Sequence, residues 1–179
     1  MKRYLRASVK IFTDYFTGMF LYFIFLNVFS SFAGENLDSW YTYYSMLFFI
    51  IVFYLIYKNM KAAAMVEKNA HTAYPLKGLV CGLLGFSPYI LFEIFHLFVV
   101  LNFINLNNEV AESVILLIYK IIFGPVIFIA EAFPYPAIGY ILSTLAVPCI
   151  ALLGYAAGYY GIELIKIKGK KDKKQKALK

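Results

Sequence analysis

The sequence predicts an all-α fold: a polytopic membrane helix bundle of four transmembrane helices plus one re-entrant or interfacial helical segment. Three observations carry this. Of 179 residues, 62% are hydrophobic and 15% charged, whereas a soluble domain carries about 25% charged residues. The apolar residues gather into five segments, each near or above the ~20 residues that cross a bilayer. The basic residues gather outside those segments. With a mean hydropathy of +0.71, these values exclude a soluble globular domain, a disordered chain and a disulfide-rich scaffold.

The first segment runs from Ile11 to Ala33 and stops at Gly34-Glu35-Asn36. Its apolar run is too long for a signal-peptide core of about 7–15 residues, so it reads as a retained span. The second runs from Trp40 to Tyr57, with Trp40, Tyr41, Tyr43 and Tyr44 placed as an interfacial aromatic belt. Strong helix formers from Lys61 to Lys68 extend it into water or along the headgroups. The third runs from Leu79 to Phe103, after Pro75. The fourth runs from Val114 to Phe133, and the fifth from Ile138 to Ile165.

Charge placement sets the topology. The chain carries 17 Lys and Arg. They cluster in Lys2 to Lys10, in Lys58 to Lys77 and in Lys166 to Lys179, with Lys120 alone elsewhere. Lys and Arg beside spans stay cytoplasmic, so both termini are expected there, which requires an even number of crossings. The fourth segment is the one to drop out. It holds Lys120, a Gly124-Pro125 break and Glu131, and proline removes a backbone donor. It is expected to enter and leave from the outer side, packed against other helices. The alternative is an ordinary fifth span with an external C-terminus. Residues 1–165 then form one membrane-embedded domain, and 166–179 a disordered Lys-rich cytoplasmic tail.

Small residues mark packing faces. Gly78, Gly82 and Gly85 form a stripe on the third segment, and Ala151, Gly154, Gly158 and Gly161 one on the fifth. Such stripes let membrane helices approach closely. They serve contacts within the chain or a seam between two copies.

Glu93 and His96 are the sharpest candidates for chemistry. Three residues apart, they share a helix face with Tyr89. A charged side chain at this depth costs roughly 2.5–3.5 kcal/mol on insertion scales and needs a partner. Three readings follow: a cation or proton site, half of a Glu-x-x-His metal site, or an ion pair of Glu93 with Lys120 that pins segment four to segment three. Asp14, four residues after Lys10, reads as an interfacial ion pair. Glu131 is expected at the outer headgroups and His71 in water. Cys81 and Cys149 lie in apolar stretches and read as small hydrophobes.

No enzyme motif is present. The leading functional reading is a small non-enzymatic subunit or accessory protein of the plasma membrane, acting through helix contacts. The alternative is a transport component for an ion or small solute, with its site at Glu93, His96 and Lys120. No cofactor and no nucleic-acid partner is expected. The expected partners are the lipid bilayer, another membrane protein or a second copy, and anionic lipid at the basic tail.

Overall fold

The computed structural model describes residues 2–34, 37–101 and 109–162. The Lys-rich tail from Lys166, the last residues of the fifth apolar segment and the last two of the third lie outside these residues. Among the described residues the chain is helical and without strands. Four helices are long and apolar enough to cross a membrane, and the protein is an integral membrane protein.

The spans are α1 (Lys2–Ala33), α2 (Leu37–Asn69), α3 (Lys77–Val100) and α6 (Pro136–Tyr160). Between the last two come α4 (Glu109–Ile122), a 3-10 turn (Gly124–Val126) and a short α5 (Ile127–Glu131). The helix formers after Lys61 do prolong α2, which runs unbroken to Asn69. Pro88 lies inside α3 and deprives the Leu84 carbonyl of its helical N–H. The Ser87 hydroxyl donates to that carbonyl instead, at 2.9 Å. At the start of α6, Pro136 occupies the first turn, where its missing N–H is no loss.

Helix directions follow from the glycine contacts. A Cβ placed on Gly78 would meet Tyr155 Cβ at 2.5 Å, and one on Gly82 would meet Pro148 Cα at 2.8 Å. α3 and α6 therefore run antiparallel at backbone contact. Gly154 faces Tyr57, and Gly158 faces Lys61 and Ala64, so α6 runs parallel to α2. Gly85 lies against Ser8 and Ile11 of α1. Gly78, Gly82, Gly85, Gly154 and Gly158 thus lie against neighbouring helices of the same chain. Gly161 departs from its stripe. It is the left-handed cap of α6 (φ 72°), with open space where a Cβ would stand. It stops the helix instead of packing it.

These directions fix the course of α4 and α5. α3 ends, and α6 begins, at the end of the bundle opposite Lys2; the end holding Lys2, Asn69 and Tyr160 is called the basic end below. The segment between α3 and α6 must therefore enter and leave on the far side. Its two halves meet at a 73° bend. The bend is tied down by hydrogen bonds from Tyr15 Oη to the Ile122 carbonyl, 2.9 Å, and from Ser45 Oγ to the Gly124 carbonyl, 2.6 Å. Carbonyls that the broken helix leaves open are thus satisfied by side chains of α1 and α2, the condition for irregular backbone at membrane depth. On the way out, Glu131 accepts a hydrogen bond from Thr42 Oγ1 near the far end of α2, 2.9 Å.

Aromatic rings are the largest side chains of the core, packed with aliphatics such as Ile11, Val52, Ile56 and Met60. Tyr15, Tyr22, Phe86, Tyr119, Phe123 and Tyr155 are fully buried, while leucines such as Leu47, Leu91 and Leu153 face outward. Lipid tails are as apolar as leucine, so shape and hydrogen bonding select what lies between helices.

Candidate functional site

α3 carries the site. Tyr89, Glu93 and His96 fall at steps of four and three, and all three are buried, Glu93 at 2% exposure and His96 at 1%. Counted at 1.5 Å per residue from Val100, Glu93 lies about 10 Å inside the far end of α3. Glu93 Oε2 and His96 Nδ1 stand 3.9 Å apart, too far for a hydrogen bond. Among the described residues, both oxygens of Glu93, His96 Nδ1 and the Tyr89 hydroxyl are buried without a hydrogen-bond partner.

The walls come from three helices. The His96 ring stacks on Tyr119 of α4, centroids 4.1 Å apart and planes 14° from parallel, and meets Tyr140 of α6 edge-on at 4.9 Å. The Tyr119 and Ser143 hydroxyls are 3.4 Å apart. Toward the basic end, Tyr89 packs on Tyr15 at 4.9 Å and Phe86 at 4.7 Å. The acid and the imidazole thus sit in an aromatic box, and the re-entrant segment supplies one side of it.

Lys120 is not in that box. It is exposed, and among the described residues it forms no ion pair with Glu93. It lines a cleft of about 210 Å³ with Glu131, Leu116, Phe133 and Tyr140. The reason is helical geometry: adjacent residues project about 100° apart, so when Tyr119 faces His96, Lys120 faces elsewhere. Tyr119 was the partner the sequence concealed. Its only signal was a tyrosine beside the charge. Nor does a third carboxylate, histidine or cysteine join Glu93 and His96 as a metal-holding group among the described residues.

A second buried acid–base cluster lies at the basic end, where the sequence predicts a helical extension into water or along the headgroups. Lys77 and Glu67 form an ion pair of 2.8 Å with side chains 3% and 9% exposed. Tyr155 Oη donates to the same Glu67 oxygen at 2.5 Å. The Lys77 ammonium also stands over the Tyr4 ring, 4.4 Å from its centroid, and Tyr4 and Tyr74 join hydroxyls at 3.2 Å. All four spans meet in this cluster. Nearby, Asp14 accepts from Lys10 at 3.1 Å and from Asn59 at 2.6 Å. His71 is exposed, in a left-handed turn (φ 53°) after α2. Cys81 and Cys149 are free thiols.

No protein-family model matches the chain, and neither a curated protein nor a solved structure matches it significantly. Function rests on the site.

Proposed function

We propose that the protein is a transport component of the membrane in which Glu93 and His96 bind and release a proton. The observation that carries the reading is the set of buried, unpartnered atoms: both Glu93 oxygens and His96 Nδ1. Ionisable groups inside membrane helices mark ion and proton pathways. Among the described residues Lys120 forms no ion pair with Glu93, which leaves the purely structural reading with less support than the proton reading. A side-chain rotation that closes the 3.9 Å gap between Oε2 and Nδ1 lets the two atoms share one proton.

The test uses the purified chain in vesicles loaded with a pH-sensitive dye, with a potassium diffusion potential as driving force. Wild type is expected to pass protons, and Glu93→Gln and His96→Asn to lose that flux. Equal flux in wild type and Glu93→Gln would sink the reading.

The subunit reading keeps one observation of its own. The far halves of α1 and α2 leave an open apolar groove of about 620 Å³, lined by Phe25, Val28, Phe29, Trp40 and Leu47 among others. A second copy of the chain is the occupant this reading supplies. Oxidative cross-linking of Val28→Cys, in a Cys149→Ala background, should give a covalent dimer in membranes. Monomer alone counts against it.

Placement in the plasma membrane with both termini cytoplasmic belongs to the same proposal, as does contact of the Lys-rich tail with anionic lipid. A tag fused after Lys179 should be shielded from external protease. Cleavage in intact cells would reverse the orientation.

A further inference from the structure

α1 and α2 are longer than the membrane requires. With 32 and 33 residues they extend about 48–50 Å, against a hydrocarbon thickness of about 30 Å. α3 and α6, with 24 and 25 residues, extend about 36–38 Å. α3 starts level with the first turns of α1, since Lys77 stands over Tyr4 and Gly85 lies against Ser8, whereas the last turn of α2 runs past the end of α6, since Gly158 already meets Lys61 and Ala64. At the basic end the first turns of α1 run beside the last turns of α2, where clustered Lys and Arg are expected to flank the bilayer.

A cleft of about 750 Å³ lies between these turns. Ala62 and Ala63 open it, because methyl side chains leave the space that larger residues would fill. Ala7, Val9 and Val66 complete apolar walls, and Arg6 and Lys10 stand on the rim one turn apart. Glu67 also lines it, but its charge is matched by Lys77 and it accepts from Tyr155. Lys10 is matched by Asp14. Among the described residues Arg6 has no carboxylate within ion-pair distance. The cleft therefore presents one unmatched guanidinium, a second cation held in place beside it, and an apolar floor.

We propose that this cleft binds the headgroup of an anionic phospholipid. The Arg6 guanidinium takes the phosphate as a fork, a Lys10 N–H not used by Asp14 reaches the same group, and the glycerol and first methylenes lie on Ala62, Ala63 and Val66. The site is separate from Glu93, and stands or falls independently of proton binding there.

The full-length chain, released from nanodiscs of mixed phosphatidylglycerol and phosphatidylcholine, is examined by native mass spectrometry for retained lipid. Wild type should keep phosphatidylglycerol in preference. Arg6→Gln should weaken that preference about fivefold, the effect of one cation near an anionic surface. Ala63→Phe fills the cleft without changing charge and should weaken retention as well. Truncation after Lys168 should leave the preference in place. An unchanged preference in Arg6→Gln overturns the site. A preference lost in Arg6→Gln but intact in Ala63→Phe also overturns it, because charge alone would then account for binding. Loss on truncation alone assigns the lipid to the tail, and does so too.

Discussion

The two buried acid–base clusters differ in one respect. At the basic end, the Glu67 carboxylate has both Lys77 and Tyr155 against it, and the Lys77 ammonium adds the face of Tyr4. On the far side, Glu93 and His96 face each other across 3.9 Å, and among the described residues neither Glu93 oxygen has a hydrogen-bond donor. The first cluster is saturated and joins the four spans. The second is enclosed by well-packed rings yet chemically open. Packing is therefore not what Glu93 and His96 lack. The open pair is the one to which the proposed proton exchange is assigned, and each prediction below acts on that contrast.

The largest effect should come from breaking the saturated pair. Lys77→Met leaves Glu67 buried without its cation and should destabilise the bundle by about 3–5 kcal/mol, the usual consequence of stranding one member of a buried pair. The double variant Glu67→Gln/Lys77→Met should recover part of that loss. Unfolding equilibria in mixed micelles measure both. Losses that simply add would show that the two residues act separately, and the basic-end cluster would cease to be the closed half of the comparison.

A smaller loss should follow from Gly78→Ala. The new methyl would stand 2.5 Å from Tyr155 Cβ and 2.6 Å from the Ala151 carbonyl. Backbone must move, at about 1–3 kcal/mol for an overpacked contact. Because Tyr155 is the residue displaced, the loss should shrink in a Glu67→Gln background, where Tyr155 has less to hold. It should persist unchanged in a Glu93→Gln background.

Sequence and structure agree where the signal is carried by the chain as a whole. Span lengths and Lys/Arg clustering depend on composition along the axis, and an even number of crossings forced one segment to turn back. Gly124-Pro125 marked which one. Partners were harder to read because they depend on azimuth and on distant contacts. Lys120 lies one residue from the true neighbour of His96, but faces about 100° away from it. Glu67 and Tyr155, 88 residues apart, meet only once α2 and α6 are packed, so a charged residue on the helical extension gave no hint of burial. Gly161 shows the limit of spacing rules: it continues the small-residue stripe in register, yet stands one residue past the end of its helix.

Glu93→Gln tests the open cluster by the same change that harms the closed one. An amide in place of a lone carboxylate removes a charge that has no partner to lose. Stability should shift by less than about 1 kcal/mol, and upward if it shifts at all, since an unpaired buried charge is the less favourable group. Glu67→Gln, by contrast, should destabilise. Similar losses at the two positions would mean that Glu93 has a partner in the membrane after all.

The smallest effect should be that of Lys120→Met, and it decides how separate the far-side charges are. Lys120 is exposed and lies across a cleft from Glu131. Exposed charges of this kind contribute under about 0.5 kcal/mol, so thermal stability and proton flux should both stay near wild type. Combined with Glu93→Gln, the two changes should add to within about 0.5 kcal/mol, as residues without a shared contact do. Coupling well above that would bring the Lys120 ammonium to the Glu93 carboxylate. Glu93 would then belong to a second structural ion pair, the contrast between the two clusters would vanish, and the case for a proton site at Glu93 and His96 would lose its ground.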